Sequence, residues 1–263
     1  ILTPLGMDRT IYSIKDLDAK GNYATPHGLK DNKNFALPWA KWDNVAATGG
    51  LISSVSDISK WMIFNLDNGI HKKDTILSSS TRNMVWTPHN NFTVSHTRKN
   101  DVNRHFRSYG LGWGLSDYQG RMKVSHGGGY DGMITRVTLI PDEKLGIVVL
   151  TNGHKSPTAA TNYALDKFLG VKTNKDWSEV HLKITNRRIK NDTRITDRVK
   201  SRVLNTKPTV AKEKFSGKYH SDIYGKITIK ESNGKLKLTF SHSPQLAATL
   251  THWNYDVWEI KWD

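Results

Sequence analysis

The residues with the most chemical content form one octet, Ser125-His126-Gly127-Gly128-Gly129-Tyr130-Asp131-Gly132. A glycine at the end of a strand lets the backbone come close to a bound carbonyl, so its N–H can donate to a developing oxyanion. A histidine beside it can hold or pass a proton near neutral pH. The same octet also reads as a glycine-rich hairpin turn with an ordinary surface histidine. No G-x-S-x-G occurs in the chain, so a nucleophile elbow served by a His-Gly-Gly-Gly oxyanion hole is excluded. The only S-x-x-K, Ser232 to Lys235, falls on a hairpin signal and is rejected as a nucleophile. Cysteine is absent, which excludes thiolate chemistry, disulfides and Cys-ligated metals. The eleven histidines are scattered without an H-E-x-x-H, so neither a metal nor another cofactor is expected.

The octet needs elements to hold it. Met122, Val124 and His126 alternate as on a strand, and Met133 to Ile140 reads as the next strand. Tyr109 to Leu115 reads as a strand with three glycines on one face, open to close approach. Leu145 to Leu150 is a continuous apolar run, as expected of a central strand buried on both faces. A helix begins at the Ser54 N-cap, with Asp57 at capping-box spacing, continues through Ile58, Trp61, Met62 and Leu66, and stops at Gly69. A second helix is expected from Ser79 to Trp86, ended by Pro88, and then a long surface loop or lid from Thr87 to Phe106. A third helix starts at Ser156-Pro157 and ends at Gly170. Further on, Ile195, Val199 and Val203 suggest another helix. Asn233-Gly234 separates two alternating runs, the strongest short hairpin signal.

The chain has 263 residues and no run long enough for a transmembrane helix. Its 39 Lys and Arg against 24 Asp and Glu give a net charge of +15. Eleven of those basic residues lie between Lys183 and Lys214, against Asp192, Asp197 and Glu213. Such a run is a solvated face or a contact for anionic surfaces. It lacks the interleaved aromatics of a nucleic-acid motif, so nucleic acid is not the expected partner. The nine tryptophans read as core or interface residues; Trp113 reads as the one nearest a cleft, with core packing its expected role. The chain opens at Ile1 and closes on an alternating run to Asp263, and is expected to be a piece of a longer protein.

Several segments, in order, resemble the C-terminal half of the serine β-lactamase/penicillin-binding protein superfamily, in its class C-like branch. They are Pro4-Leu5-Gly6-Met7 with Thr10, Gly49-Gly50-Leu51 through Asp57-Ile58, Tyr109-Gly110-Leu111-Gly112-Trp113, His126-Gly127-Gly128, and Leu150-Thr151-Asn152. Lys212 to Asp263 is similar to a small β-rich domain often appended to such proteins. The resemblance implies an α/β (α+β) fold: an antiparallel sheet flanked by helices, then a small β domain. It implies domains at 1–170 and 212–263, joined by a basic, partly helical connector at 171–211.

By the same resemblance, a serine in S-x-x-K, helped by its Lys and by a Tyr in Y-x-N, attacks a carbonyl and forms an acyl-enzyme. His126 would take the place of the Lys of the third motif. Gly129 would supply an oxyanion N–H, and Gly127, Gly128 and Tyr130 would contact substrate. This chain contains no Y-x-N and no suitable S-x-x-K, so alone it is expected to be inactive. Expected partners are a small peptide, β-lactam or ester substrate, and either the missing N-terminal half or a second copy of the chain. Histidine, mostly neutral near pH 7 at its ordinary pKa, holds a penicillin carboxylate less well than lysine, which favours peptidase or esterase chemistry. The resemblance implies a periplasmic or secreted location. The alternative is a non-catalytic relative that binds peptides or anionic surfaces.

Overall fold

A computed structural model describes residues 1–30, 33–94, 102–153 and 157–263. The chain divides into two compact units, Ile1–Thr185 and Asn186–Asp263. Among the described residues, no helix is long and apolar enough to cross a membrane.

The first unit is built on a six-stranded antiparallel sheet. Before it come a hairpin, β1 (His27–Lys30) with β2 (Lys33–Ala36), and a two-residue pair, β3 (Ile70–His71) with β4 (Asp74–Thr75). The sheet contains β5 (Asn90–Asn91), β6 (Arg107–Tyr109), β7 (Gly114–Tyr118), β8 (Arg121–Tyr130), β9 (Met133–Ile140) and β10 (Leu145–Thr151), in the order β10-β9-β8-β7-β6-β5. Successive side chains of a strand point to opposite faces, so Leu139 and Ile140, both fully buried, feed two cores. Leu139 packs with Leu115, Val124, Trp86 and Met62, the last from helix Val55–Leu66. Ile140 packs with Tyr118, Val102, Trp177 and Leu165, the last from helix Thr158–Phe168.

Helix Val55–Leu66 begins where expected, with Ser54 Oγ accepting from the Asp57 N–H at 3.2 Å. The Asp57 carboxylate does not complete a capping box. It accepts from the Arg9 N–H and the Thr10 hydroxyl, each at 2.9 Å, and from Lys60 at 3.3 Å. Ile11 and Ile52 exchange backbone hydrogen bonds next to it. The segments around Met7 and Gly50 are therefore fastened by one buried carboxylate. Helix Ser79–Val85 is capped by Ser78, one residue ahead of the expected start.

Three expectations need correction. Tyr109 to Leu115 is not one strand. Gly112 has φ +77°, a Cβ at Gly110 would stand 2.2 Å from the Val85 carbonyl oxygen, and the chain turns between β6 and β7. Gly127 to Gly129 do not form a turn but stay in β8, paired with β9. β10 is not central: helices cover its faces, but among the described residues its outer edge pairs with no strand. Asn90–Asn91 is also a short strand within the expected loop, and residues 95–101 of that loop lie outside the described residues. Ser156 lies outside them too. The end of its helix is as expected, with Gly170 at φ +64° and the Val171 N–H bonded to the Asp166 carbonyl.

The second unit is a meander of β11 (Gly217–Ser221), β12 (Gly225–Ser232), β13 (Lys235–Phe240), β14 (Ser243–Asn254) and β15 (Val257–Trp262). Leu236 faces Leu250 and Leu238 faces Ala248, and these four residues form its core. Asn233 and Gly234 both have positive φ, as a type I′ turn requires, so Ser232 and Lys235 merely close a hairpin.

Asp166 is 5% exposed and accepts from the Tyr118 hydroxyl and the Trp177 indole N–H, each at 2.5 Å. Burial, reinforced by this carboxylate, pushes the Tyr118 phenol far above its ordinary pKa. Asp166→Ala strands the buried Trp177 N–H and leaves the Tyr118 hydroxyl only the Asn162 carbonyl at 3.4 Å, and should cost about 3 kcal/mol in urea denaturation, against about 1 kcal/mol for Tyr118→Phe.

Two carboxyls set the acid limit. Burial pushes Asp57 up, but its bonds from Thr10, Arg9 and Lys60 outweigh this and hold it below the ordinary range. Burial is likewise overcome at Asp117 by the N–H groups of Phe106 and His105 and by the His105 ring. A lowered folded pKa means stability that is complete above the unfolded value and lost as pH falls through the folded one. Denaturant midpoints should therefore drop below about pH 4, and Asp57→Asn with Asp117→Asn should flatten that drop.

Candidate active site

β8 carries the octet, and its two neighbours do not run equally far. β7 pairs with it from Tyr118↔Arg121 to Gly114↔Ser125 and goes no further. β9 pairs with it through Tyr130↔Met133. The two-residue turn Asp131-Gly132 makes Tyr130–Met133 a hydrogen-bonded pair. In an antiparallel ladder such pairs alternate with non-bonded ones, so Gly128 and His126 also bond to β9. Gly127 and Gly129 then turn their N–H and C=O toward the edge that β7 has left. The other hairpin gives the same phase, since Tyr118↔Arg121 closes a two-residue turn and places Ser125 in a pair bonded to β7.

The tip of the β8–β9 hairpin is clamped. Gly132 has φ +77°, and a Cβ there would stand 2.6 Å from the His27 nitrogen and 2.8 Å from Pro26 Cβ. The His27 N–H donates to the Gly132 carbonyl at 3.2 Å, and Asn152, just past β10, donates to the Thr25 carbonyl at 3.1 Å. One loop thus ties the hairpin to the end of β10. Gly127 and Gly129 are different: a Cβ would meet nothing closer than 3.4 Å and 3.8 Å, respectively. Packing within the chain does not require glycine at either position.

His126 and the three glycines are exposed. His126 Nε2 lies 3.0 Å from the Tyr109 hydroxyl, a hydrogen bond whose direction follows the tautomer. The sequence reading placed Tyr109 on a strand and did not find this partnership, because the pair depends on where β6 ends. Tyr130 packs between Trp42 and Trp39, with ring centroids at 4.8 Å and 5.6 Å. Burial, with Asp131 and Asp43 nearby, raises its phenol pKa. Tyr130 Oη, Trp39 Nε1 and Asp43 Oδ1 are buried without hydrogen-bond partners. Trp113 packs against Trp86 in the core, the role expected for it.

A cleft of about 810 Å³ lies elsewhere in this unit, lined by Val149, Thr151, Tyr163, Asp166 and Trp177 among others, and by no residue from His126 to Tyr130. Among the described residues, no group of three or more His, Asp or Glu is placed to hold a metal. The octet therefore offers an open strand edge with outward amides, a histidine bonded to a tyrosine, and an aromatic wall.

The Beta-lactamase family profile matches residues 1–170, and that of a domain of unknown function (DUF3471) matches residues 201–263. An unguisins hydrolase (ungD′) of Aspergillus campestris is 28% identical over 252 residues, covering 87% of this chain and 43% of its own length. The unguisins hydrolase ungD of Aspergillus violaceofuscus is 27% identical over 175 residues, 58% of this chain and 29% of its own length. This chain thus spans less than half the length of either relative. The octameric penicillin-binding protein homologue from Pyrococcus abyssi shares the fold, with a TM-score of 0.59 at 19% identity over 99% of this chain and 53% of that one. Over residues 1–170 the chain belongs to the Beta-lactamase family.

Proposed function

We propose that this chain forms one wall of a serine acyl hydrolase that works through an acyl-enzyme, and that the attacking serine lies on polypeptide outside it. The observation that carries this reading is the open edge of β8. The N–H of Gly129 points outward from it and would donate to an oxyanion, and the bare Cα atoms of Gly127 and Gly129 would leave room for a substrate backbone. His126, oriented by Tyr109, would pass a proton or meet a polar group of the substrate. Tyr130, with Trp39 and Trp42, would flank the bound acyl group.

The substrate is proposed to be a small peptide or ester rather than a penicillin, since a histidine replaces the lysine that would fix a β-lactam carboxylate. The named activity of the two fungal relatives, hydrolysis, is in line with this class. The partner would be the N-terminal complement of the catalytic domain, supplying S-x-x-K and Y-x-N, or a second copy of this chain. The unpaired edge of β10 would accept its strand. A periplasmic or secreted location suits such an enzyme.

The test is covalent labelling. The 263-residue chain alone should give no adduct with a fluorophosphonate or a fluorescent penicillin. The product of the whole gene should give one serine adduct, mapped by mass spectrometry upstream of Ile1. A stoichiometric adduct on a serine of the isolated chain would overturn the proposal. In the whole protein, Gly129→Pro removes the outward N–H and should lower kcat on p-nitrophenyl esters by about 100-fold or more. His126→Ala should cost about 10- to 100-fold and change the pH profile.

A further inference from the structure

The connector carries a surface that the hydrolase reading does not use. Helix Trp177–Asn191 buries Trp177 but leaves Ile189 69% exposed. In helix Arg194–Lys200, Ile195 is 74% and Val199 55% exposed, and their four-residue spacing puts them on one side. Arg187, Arg188, Lys190, Arg198 and Lys200 accompany them, all exposed. No acidic side chain among the described residues pairs with any of these five; Asp192 is taken by Arg194, bidentate at 2.8 and 2.7 Å.

The second helix is held within its own unit. Arg202, two residues past its end, stacks on Trp253 at 4.5 Å and donates to the Trp253 and His252 carbonyls at 2.8 and 3.2 Å. Ile195 and Val199 therefore sit on an anchored helix, not on a loose tail. Exposed aliphatic side chains on the same two helices as unpaired arginines and lysines suit a lipid interface: the aliphatics enter the acyl boundary while the cations meet headgroup phosphates. A duplex nucleic acid would use the same cations but gains nothing from three exposed aliphatics.

We propose that residues 187–200 dock the chain peripherally on anionic lipid bilayers. This inference does not depend on the acyl-hydrolase reading. The test is sedimentation of the 263-residue chain with vesicles of phosphatidylcholine alone or mixed equally with phosphatidylglycerol. Binding should need the anionic lipid and fall about tenfold or more as salt rises from roughly 0.05 to 0.5 M. Ile189→Ser with Ile195→Ser and Val199→Ser should weaken it about tenfold at low salt, with unchanged circular dichroism and melting temperature. Arg187→Glu with Arg198→Glu should weaken it at least as much. Three results would each overturn the proposal: no vesicle binding, undiminished binding by the triple serine variant, or binding to duplex DNA in place of vesicles.

Discussion

Strand β8 is shared by two neighbours as far as Ser125 and by one beyond it. Everything chemical about the octet follows from that unequal pairing. Had β7 run on beside the glycines, the amides of Gly127 and Gly129 would be spent in a ladder, and the bare Cα positions would only weaken a strand. Because β7 starts at Gly114, the same residues become an unspent row of donors on a rigid support. A loop tip could carry the same groups, but it would lack the register that two hairpins fix independently.

The support is built from contacts distant in sequence. Asp57 binds the Arg9 amide and the Thr10 hydroxyl, 48 and 47 residues away, and fastens the start of the chain to the helix beneath the sheet. Asn152 reaches Thr25 across 127 residues. Short-range patterning shows none of this. Read locally, Asp57 three residues after Ser54 is a capping-box acid, and only the fold reveals that its carboxylate is committed to Arg9 and Thr10 near the start of the chain.

Legibility in the sequence follows the same division. Ser54, the Gly170 terminator and Asn233-Gly234 act within a few residues, and each was readable from local geometry. Glycine runs were not. Gly110, Gly112 and Gly114 lie in and around a turn, while Gly127, Gly128 and Gly129 lie in a strand, and both runs satisfy either pattern because glycine tolerates both. What separates them is non-local: the Val85 carbonyl crowding Gly110 and the full length of β9 beside Gly127. The partnership of Tyr109 with His126 was hidden for the same reason. The family resemblance suggests the role proposed for the octet, and the hydrogen-bond phase of β8 gives the direction of its amides.

The strand edges carry the argument one step further. An exposed edge invites pairing, and soluble proteins protect it with charges, proline or bulges. The edge strands of the second unit have such protection: β11 carries Lys218 and His220, and β15 carries Glu259 and Lys261. β10 reads Leu-Gly-Ile-Val-Val-Leu-Thr, without charge or proline, and its register with β9 is unbroken. Its faces are covered by helices, so the apolar run is explained on both sides of the sheet but not along its rim. A seven-residue apolar edge of this kind is a template on which another strand can pair. The same unit leaves the amides of Gly127 and Gly129 unspent at the other end of its pairing scheme. On the proposed reading, further polypeptide would pair with the edge of β10 and bring a nucleophile to the outward amides of Gly127 and Gly129.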